Sequence, residues 1–327
     1  MITPPAVLCS CATADKTASK ILMELFRRRR LLPSEPFSDK ESEAEAAPHY
    51  PVITRAINEG RPITLILPAF PAKSPSRRKT LSHLPDHGEE LALMAINALC
   101  EDIRTHHEAG AKVIICSDGR VFADVVHIPD QDVTAYNASL RQLAAEMKLT
   151  HIEFFGLDDV YSTITDYATL REELMVEYGE TLATLQDRCR AENHAAEMYK
   201  GITRFMFEDF CGLDKFCGLS KSHIQRLARL AAYRVIQRSN AWSKLLADRF
   251  PETIRLSIHP QARVSEKIGI ALVDATNAWA TPWHSVVLKH RNGVSLVHRE
   301  TAERMGAALI FKNGRPSHFQ SLETYGN

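Results

Sequence analysis

One short loop concentrates side chains suited to binding a phosphate. It follows the apolar run Ile63–Leu67, and its three prolines would hold its cations in place before a ligand arrives. Its four cations and two hydroxyls are Lys73, Ser74, Ser76, Arg77, Arg78 and Lys79. Arginine forks and lysine point charges both suit phosphate oxygens. An exposed basic loop without a ligand is the alternative.

The segment Ser117–Arg120 is a second candidate for chemistry. It places the acid Asp118 and the cation Arg120 after another apolar run, with a glycine between them that permits close backbone approach. Such residues could handle a polar substrate. A turn with a local Asp118–Arg120 ion pair is the alternative interpretation.

A third group consists of His259, Lys267 and the pair Trp283–His284. A tryptophan could wall an aromatic pocket, and a histidine beside it could titrate near neutral pH. A core histidine packed on a structural tryptophan is the alternative for each residue taken singly.

Metal and nucleotide chemistry find less support. His151 and Glu153 would share one face of a strand, as two ligands of an iron facial triad do, but no third ligand is recognisable and we expect no metal site. The sequence has no Walker loop and no glycine-rich dinucleotide turn, so neither ATP nor a nicotinamide cofactor is indicated. Its seven cysteines lack paired spacings and indicate free thiols in a reducing compartment, with Cys100 and Cys116 buried.

The elements that must position these residues alternate in the first half of the chain. Apolar runs at Ile63–Leu67, Lys112–Cys116 and His151–Phe155 are separated by helical periodicity over Gly88–Glu108 and Val133–Met147. This alternation predicts an α/β fold with a doubly wound sheet of parallel strands. Ligands bind such sheets outside the carboxyl ends of the strands, where the first two groups of candidate residues would lie.

The remaining segments are assigned from pattern and composition. A helix over Thr17–Leu32 and an acidic linker over Pro33–Pro48 are predicted to form residues 1–49, ahead of a main domain over 50–327 with a helical insertion at about 158–250. Strand patterns return at Ile254–Ile258, Ile268–Val273, Ser285–Lys289, Val294–His298 and Ala308–Phe311. We predict an antiparallel extension of the sheet, with a type I′ hairpin at Asn292-Gly293.

Charge and hydropathy limit the function classes. Lys plus Arg and Asp plus Glu both number 40, so no overall basic field is available to hold nucleic acid. No apolar run approaches the ~18 residues that span a membrane. The first residues lack the charged and apolar regions of a signal peptide. We expect a cytoplasmic protein without nucleic-acid or membrane partners.

Several blocks of this sequence resemble the isonitrile (isocyanide) synthases of the pyoverdine/dityrosine biosynthesis protein family. They cover most of residues 61–288, while the first ~50 residues and the tail carry little of the likeness. The blocks are LPAFPAKSPSRRKTLSHLPDHGE at 67–89, SDGRVFADVV at 117–126, DQDVTAYNASL at 130–140, LSIHP at 256–260, KIGIAL at 267–272 and TPWHSVV at 281–287.

The resemblance implies a modified Rossmann-like fold and a specific reaction. An aromatic L-amino acid, with L-tyrosine the first choice and L-tryptophan the second, would condense through its amine with the ketone of D-ribulose 5-phosphate. Fragmentation would leave the carbonyl carbon on nitrogen as the isocyanide and release phosphate, formaldehyde and hydroxyacetone. No redox cofactor or metal is implied.

The candidate residues fit this reaction, because imine formation and carbon–carbon cleavage need repeated proton transfers. Asp118 and His259 are the expected acid–base groups, with Lys267 and His284 as their partners. For substrate binding we expect Lys73, Ser74, Arg77 and Lys79 at the phosphate, Arg120 at the amino-acid carboxylate and Trp283 beside the ring. Two other classes stay open: a non-catalytic sugar-phosphate-binding protein, and an iron and 2-oxoglutarate oxygenase using His151 and Glu153.

Overall fold

Five parallel strands form the central sheet of the computed structural model, which describes residues 7–35, 42–273 and 280–322. In chain order they are β1 (Ile63–Pro68), β2 (Ala111–Ser117), β3 (Ile152–Gly156), β4 (Ile254–Ser257) and β5 (Lys267–Gly269). Their spatial order is β3-β2-β1-β4-β5, so the winding reverses between β1 and β4. Ligand sites of doubly wound sheets lie at such a reversal, which confirms the predicted fold class and directs attention to the loops after these two strands.

Helices cover both faces of this sheet. They are α1 (Val7–Arg27), α2 (Glu43–Ala46), α3 (Tyr50–Asn58), α4 (His87–Arg104), α5 (Gly119–Phe122), α6 (Asp130–Glu146), α7 (Leu157–Val160), α8 (Tyr167–Tyr178), α9 (Leu182–Ala191), α10 (Asn193–Phe210), α11 (Lys221–Arg249) and α12 (Arg299–Arg304). Leu65 and Leu67 pack with α1, α3, α4 and α6, whereas Ile66 faces α8 and α11. Strands buried on both faces are continuously apolar, which explains their clear signal in the sequence. Within the described residues, no helix is long and apolar enough to cross a membrane.

The chain is helical from Leu157 to Arg249 apart from short connections; that this segment is an insertion into the domain stays a prediction. Its helices α10 and α11 share a separate apolar cluster that includes Met206, Phe210 and Ala228. Residue Val125, just after α5, joins this cluster and so brings α10 next to the carboxyl ends of the strands.

The C-terminal strands form a second sheet instead of extending the first. They are β6 (Val286–His290), β7 (Gly293–Val297), β8 (Ala308–Lys312) and β9 (Arg315–Gln320), in the order β7-β6-β9-β8. Pairs β6–β7 and β8–β9 are antiparallel, but β6 and β9 run parallel. The edge of the central sheet beyond β5 is instead occupied by the chain after α1, where the amide of Arg30 donates to the carbonyl of Gly269 at 2.7 Å.

The hairpin predicted between β6 and β7 is present, but the predicted turn type there is wrong. Asn292 does not have a positive φ, and Gly293 already pairs with His290. The two consecutive positive φ angles of a type I′ turn occur one hairpin later, at Asn313 (54°) and Gly314 (74°) between β8 and β9.

The N-terminal segment belongs to the core of the sheet. Helix α1 begins earlier than predicted and buries Ile21 and Leu25 in the same cluster as β1. Within the predicted acidic linker, Glu45 is buried and paired with Arg29, while residues 36–41 lie outside the described part of the chain. The division of the chain at residue 49 stays a prediction. Cys100 and Cys116 are buried thiols, as predicted.

Candidate active site

The loop after β1 is folded into the protein for most of its length: Lys73 and Lys79 are buried, and only Arg77 and Arg78 of its four cations are exposed. Phe70 is fully buried, and its carbonyl accepts a hydrogen bond from the hydroxyl of Ser117 at 2.9 Å. The loop then crosses Gly119 so closely that a Cβ there would lie 1.7 Å from the carbonyl oxygen of Pro71. Only glycine permits this approach, and it brings the first two groups of candidate residues together.

Lys73 lies inside a buried ionic cluster. Its ammonium donates to Asp86 Oδ2 at 2.7 Å and to the carbonyl oxygen of Pro282 at 2.9 Å, and Glu89 Oε2 lies 2.8 Å away. The side chain of Lys73 is 0% exposed. An ammonium has one hydrogen for each of these acceptors, so this arrangement leaves none for a ligand. Phosphate binding by Lys73 stays a prediction that the geometry does not favour.

Lys79 is a second buried ammonium in the same loop. It is ion-paired with Asp209, near the end of α10, and lies 4.9 Å from the centre of the Phe205 ring. Ser76 is also buried, and its hydroxyl has no hydrogen-bond partner within the described residues. The amide of Lys79 donates to the carbonyl of Ser76, so the two side chains leave adjacent points of one turn. An ammonium beside an uncommitted hydroxyl suits phosphate oxygens.

His284 ends a short 3-10 turn, Pro282–His284, that leads into β6. Its ring packs edge-on against Phe205, with 5.0 Å between ring centres. The ring atom Nδ1 is buried and has no hydrogen-bond partner within the described residues. Burial lowers the pKa of His284 to about 4; the nearby Asp209 opposes this shift and Lys79 adds to it. The imidazole is therefore neutral at physiological pH and can accept a proton.

Asp118 directly follows β2. It is partly buried, and its Oδ1 atom is buried with no hydrogen-bond partner in the described part of the chain. Burial raises the pKa of Asp118 to about 7. A carboxyl group that is half-protonated near neutral pH is suited to act as an acid or a base.

His259 follows β4, on the other side of the winding reversal. Burial, with the charges of Arg30 and Lys267, lowers the pKa of His259 to about 4. The residue as a whole nevertheless remains exposed to solvent. Its charge also lowers the pKa of His284, so the two histidines are electrostatically coupled.

Lys267 stands at the first position of β5, opposite Arg255 on β4. This is the amino end of the strand, but the charge of Lys267 still reaches His259 and lowers the pKa of that histidine. Burial, followed by the charge of Arg255, lowers the pKa of Lys267.

Arg120 and Arg77 lie in very different surroundings. The guanidinium of Arg120 is buried, contacts Asp130, Asp158 and Thr134, and stacks 3.6 Å from the centre of the Tyr167 ring. All of its nitrogen atoms are engaged, so carboxylate binding by Arg120 stays a prediction that would require exchange of partners.

The side chain of Arg77 is 85% exposed, and its guanidinium lies 4.0 Å from Asp214.

Ser74 and Trp283 have structural contacts. The amide of Ser74 donates to the carbonyl of Trp283 at 2.8 Å, and the hydroxyl of Ser74 accepts from the amide of Ser76. The Trp283 side chain is buried in the main core, 5.1 Å from the ring centre of Phe70. A direct contact of Trp283 with a substrate ring stays a prediction.

Sequence reasoning missed the residues that α10 contributes. Asp209 and Phe205 lie in the predicted helical insertion and were not considered as site residues. The burial of Asp209 beside Phe210, which creates its need for a charged partner, is visible only in the folded chain. Asp86 and Glu89 were missed as well. They form a capping box at the start of α4, and both also accept from Lys73.

The residues behind the iron hypothesis are engaged elsewhere. His151 Nε2 lies 2.7 Å from Glu101, and Glu153 is paired with Lys112 at 3.0 Å. Both lie at the amino end of β3, whereas Lys79 and Asp118 belong to loops at the carboxyl ends of the parallel strands. Across residues 7–35, 42–273 and 280–322, no group of three or more His, Cys, Asp or Glu side chains is arranged to hold a metal ion.

Named relatives share nearly the whole chain. An L-tryptophan isonitrile synthase of Fischerella ambigua is 40% identical over 95% of this chain and 96% of its own length. An L-tyrosine isonitrile synthase of Pseudomonas aeruginosa is also 40% identical, over 94% of both chains. A further L-tyrosine isonitrile synthase, from Xenorhabdus nematophila, is 39% identical over 93% of this chain and 92% of its own.

The fold has a close counterpart among solved structures. The crystal structure of PvcA from Pseudomonas aeruginosa superposes with a TM-score of 0.86 at 39% identity, covering 93% of this chain and 99% of that one. The family model described as pyoverdine/dityrosine biosynthesis protein matches residues 53–310, a range that contains every candidate residue discussed above. This chain belongs to the pyoverdine/dityrosine biosynthesis protein family.

Proposed function

We propose that this protein is an isonitrile synthase that acts on L-tyrosine and D-ribulose 5-phosphate. The observation that carries the proposal is that Asp118 follows β2 and His259 follows β4, on either side of β1 at the winding reversal, while His284 is influenced by the charge of His259. The pKa of Asp118 is raised and those of the two histidines are lowered. Groups whose environments separate their pKa values in this way are suited to acid and base roles. The near-full-length relatives named as isonitrile synthases support the same proposal.

The reaction needs an acid and a base but no net redox change. The amine attacks the ketone carbon, water leaves, and cleavage of the two carbon–carbon bonds at that carbon leaves it on nitrogen as the isocyanide. The other sugar carbons depart as formaldehyde and hydroxyacetone, with phosphate released from the latter fragment. In this scheme Asp118 donates a proton to the departing oxygen, and the neutral His284 and His259 remove protons from the amine and the sugar hydroxyls. Lys267 would assist through its charge on His259.

Lys79 and Ser76 are the groups we propose for the phosphate, with the exposed Arg77 as a third. Lys79 is ion-paired with Asp209, and its positive charge helps to lower the pKa of His284. A phosphate placed there would share Lys79 with Asp209, and its departure would be stabilised by the same ammonium.

The decisive test is product analysis with labelled sugar. The purified protein is incubated with ribulose 5-phosphate carrying carbon-13 at the ketone and with L-tyrosine or L-tryptophan, and the products are followed by mass spectrometry. We expect the label in the isocyanide carbon of the tyrosine product. Formation of the tryptophan product instead would identify L-tryptophan as the substrate. It is the second candidate because relatives named for tryptophan and for tyrosine are equally identical to this chain. Label in any other fragment, or binding of the sugar without turnover of either amino acid, would overturn the proposal.

A further inference from the structure

Lys73 joins three segments that are far apart in the sequence. It belongs to the loop after β1, its carboxylate partners Asp86 and Glu89 begin α4, and its third acceptor is the carbonyl of Pro282 in the turn before β6. Each of these contacts is buried, so solvent does not compete for the ammonium. The cluster therefore fixes the turn Pro282–His284 against the rest of the site.

A second set of contacts acts on the same turn. The amide of Ser74, the residue after Lys73, donates to the carbonyl of Trp283 at 2.8 Å. Gly88 of α4 packs so tightly on Pro282 that a Cβ at Gly88 would lie 3.2 Å from the Pro282 side chain. His284, whose Nδ1 lacks a partner within the described residues, is the next residue of this turn. The backbone that carries the His284 ring is thus held by Lys73, Ser74 and Gly88.

The composition of the cluster argues against a purely stabilising role, because two carboxyl groups are buried beside a single ammonium. One ammonium meets two carboxylates, and Tyr136 donates to Glu89 at 3.1 Å. Burial, together with the charge of Glu89, raises the pKa of Asp86 to about 7 despite the opposing charge of Lys73. Well-packed apolar residues would hold the loop at least as firmly, so the ionic cluster is better explained by the directional bonds it makes.

We propose that Lys73 is a positioning residue that sets the place of His284 through the carbonyl of Pro282, and that it does not bind the sugar phosphate. The kinetic consequences rest on the proposed synthase function. The effect on the His284 ring does not depend on that function and can be measured in the absence of substrates.

The test compares Lys73→Met with Lys79→Met, a matched loss of a buried ammonium from the same loop. Three quantities are measured: the affinity for ribulose 5-phosphate by calorimetry, kcat, and the NMR signal of His284 in protein labelled with carbon-13 at histidine Cε1. The signal is assigned with His284→Gln. For Lys73→Met we expect a displaced or broadened His284 signal, kcat reduced by about 10²-fold and sugar affinity changed by less than about twofold. Lys79→Met should instead weaken sugar binding by about tenfold or more.

An unmoved His284 signal in Lys73→Met would overturn the proposal, and so would a loss of sugar affinity as large as in Lys79→Met. If the wild-type protein neither binds the sugar nor forms an isocyanide, the proposed function fails, while the NMR comparison still decides the role of Lys73. If Lys73→Met does not fold, Lys73→Met/Asp86→Asn/Glu89→Gln removes all three charges together and is measured in its place, with the same outcomes deciding.

Discussion

At the scale of single residues, burial has opposite consequences for the acids and the bases of the site. It disfavours the charged form of each group, so the pKa of Asp118 rises to about 7 while that of His284 falls to about 4. A partly protonated carboxyl group and a neutral imidazole therefore coexist at neutral pH. That combination permits proton donation and proton removal in one reaction cycle.

Replacement of Asp118 should affect turnover and its pH dependence together. We expect Asp118→Asn to reduce kcat about 10²-fold with little change in substrate affinity. In the wild-type protein, a step that needs the protonated carboxyl slows as pH rises through about 7, and the variant should lack this decline. Single-turnover rates across a pH series would show it. A variant with near-normal turnover would remove Asp118 from the mechanism.

The same residue should link stability to pH. The folded protein keeps the Asp118 proton up to about pH 7, whereas the unfolded chain loses it near the ordinary value of 3.8. Between these values stability falls as pH rises, by at most about 1.4 kcal/mol per pH unit from this group. The difference in unfolding free energy between Asp118→Asn and wild type should grow over that window in urea titrations. A constant difference would contradict the raised pKa.

Loss of a loop cation should separate the two substrates. We expect Lys79→Ala to raise KM for ribulose 5-phosphate much more than KM for the amino acid, because only the sugar carries a phosphate. Arg77→Ala should act in the same direction but more weakly, since the side chain of Arg77 is 85% exposed. Initial rates with each substrate varied in turn provide the measurement. Equal effects on both KM values would count against a phosphate site in this loop.

At the scale of elements, the site depends on how closely the loop after β1 approaches the start of α5. We expect Gly119→Ala to abolish activity and to lower stability by several kcal/mol, because its Cβ would meet the Pro71 carbonyl at 1.7 Å. Gly201→Ala is the matched control, since nothing lies within 4 Å of a Cβ there on the exposed face of α10. It should stabilise the protein by roughly 0.5–1 kcal/mol. Thermal unfolding of both variants tests the pair, and a tolerated Gly119→Ala would refute the close approach.

The sequence predicted the elements with strong apolar patterns and missed those without one. β1 and β2 are buried on both faces, so their apolar runs are clear in the sequence. β9 begins Arg315-Pro316, has no such run and was not predicted. Among the candidate residues, the places of Asp118 and His259 after strands could be predicted because each follows an apolar run; their roles stay predictions. The burial of Lys73 and Arg120 was not visible, because their carboxylate partners come from other elements and meet them only in the folded chain.

At the scale of the whole molecule, the hypotheses differ in their need for cofactors. The proposed reaction is redox-neutral. His151 and Glu153, the residues on which the iron hypothesis rests, contact Glu101 and Lys112 respectively. We expect activity to persist after exhaustive EDTA treatment without 2-oxoglutarate or nicotinamide, and His151→Ala to remain active. Loss of activity on chelation and its return with ferrous iron would favour the oxygenase alternative.

The strand-like contacts of the chain after α1 have a consequence for behaviour at high concentration. Arg29 bridges to Ile270 and Leu31 to Gln261, so the backbone groups beside β5 are occupied by the protein itself. A chain shortened to begin after Leu32 would present them to other copies and would also uncover the apolar surface that α1 buries; exposed strand edges and exposed apolar surface both promote self-association. We expect such a truncation to aggregate in light-scattering measurements, whereas removal of residues 1–6 alone should leave the protein monodisperse to the same degree as the full chain. The segment after α1 would then protect the edge of the central sheet from pairing with other copies of the chain.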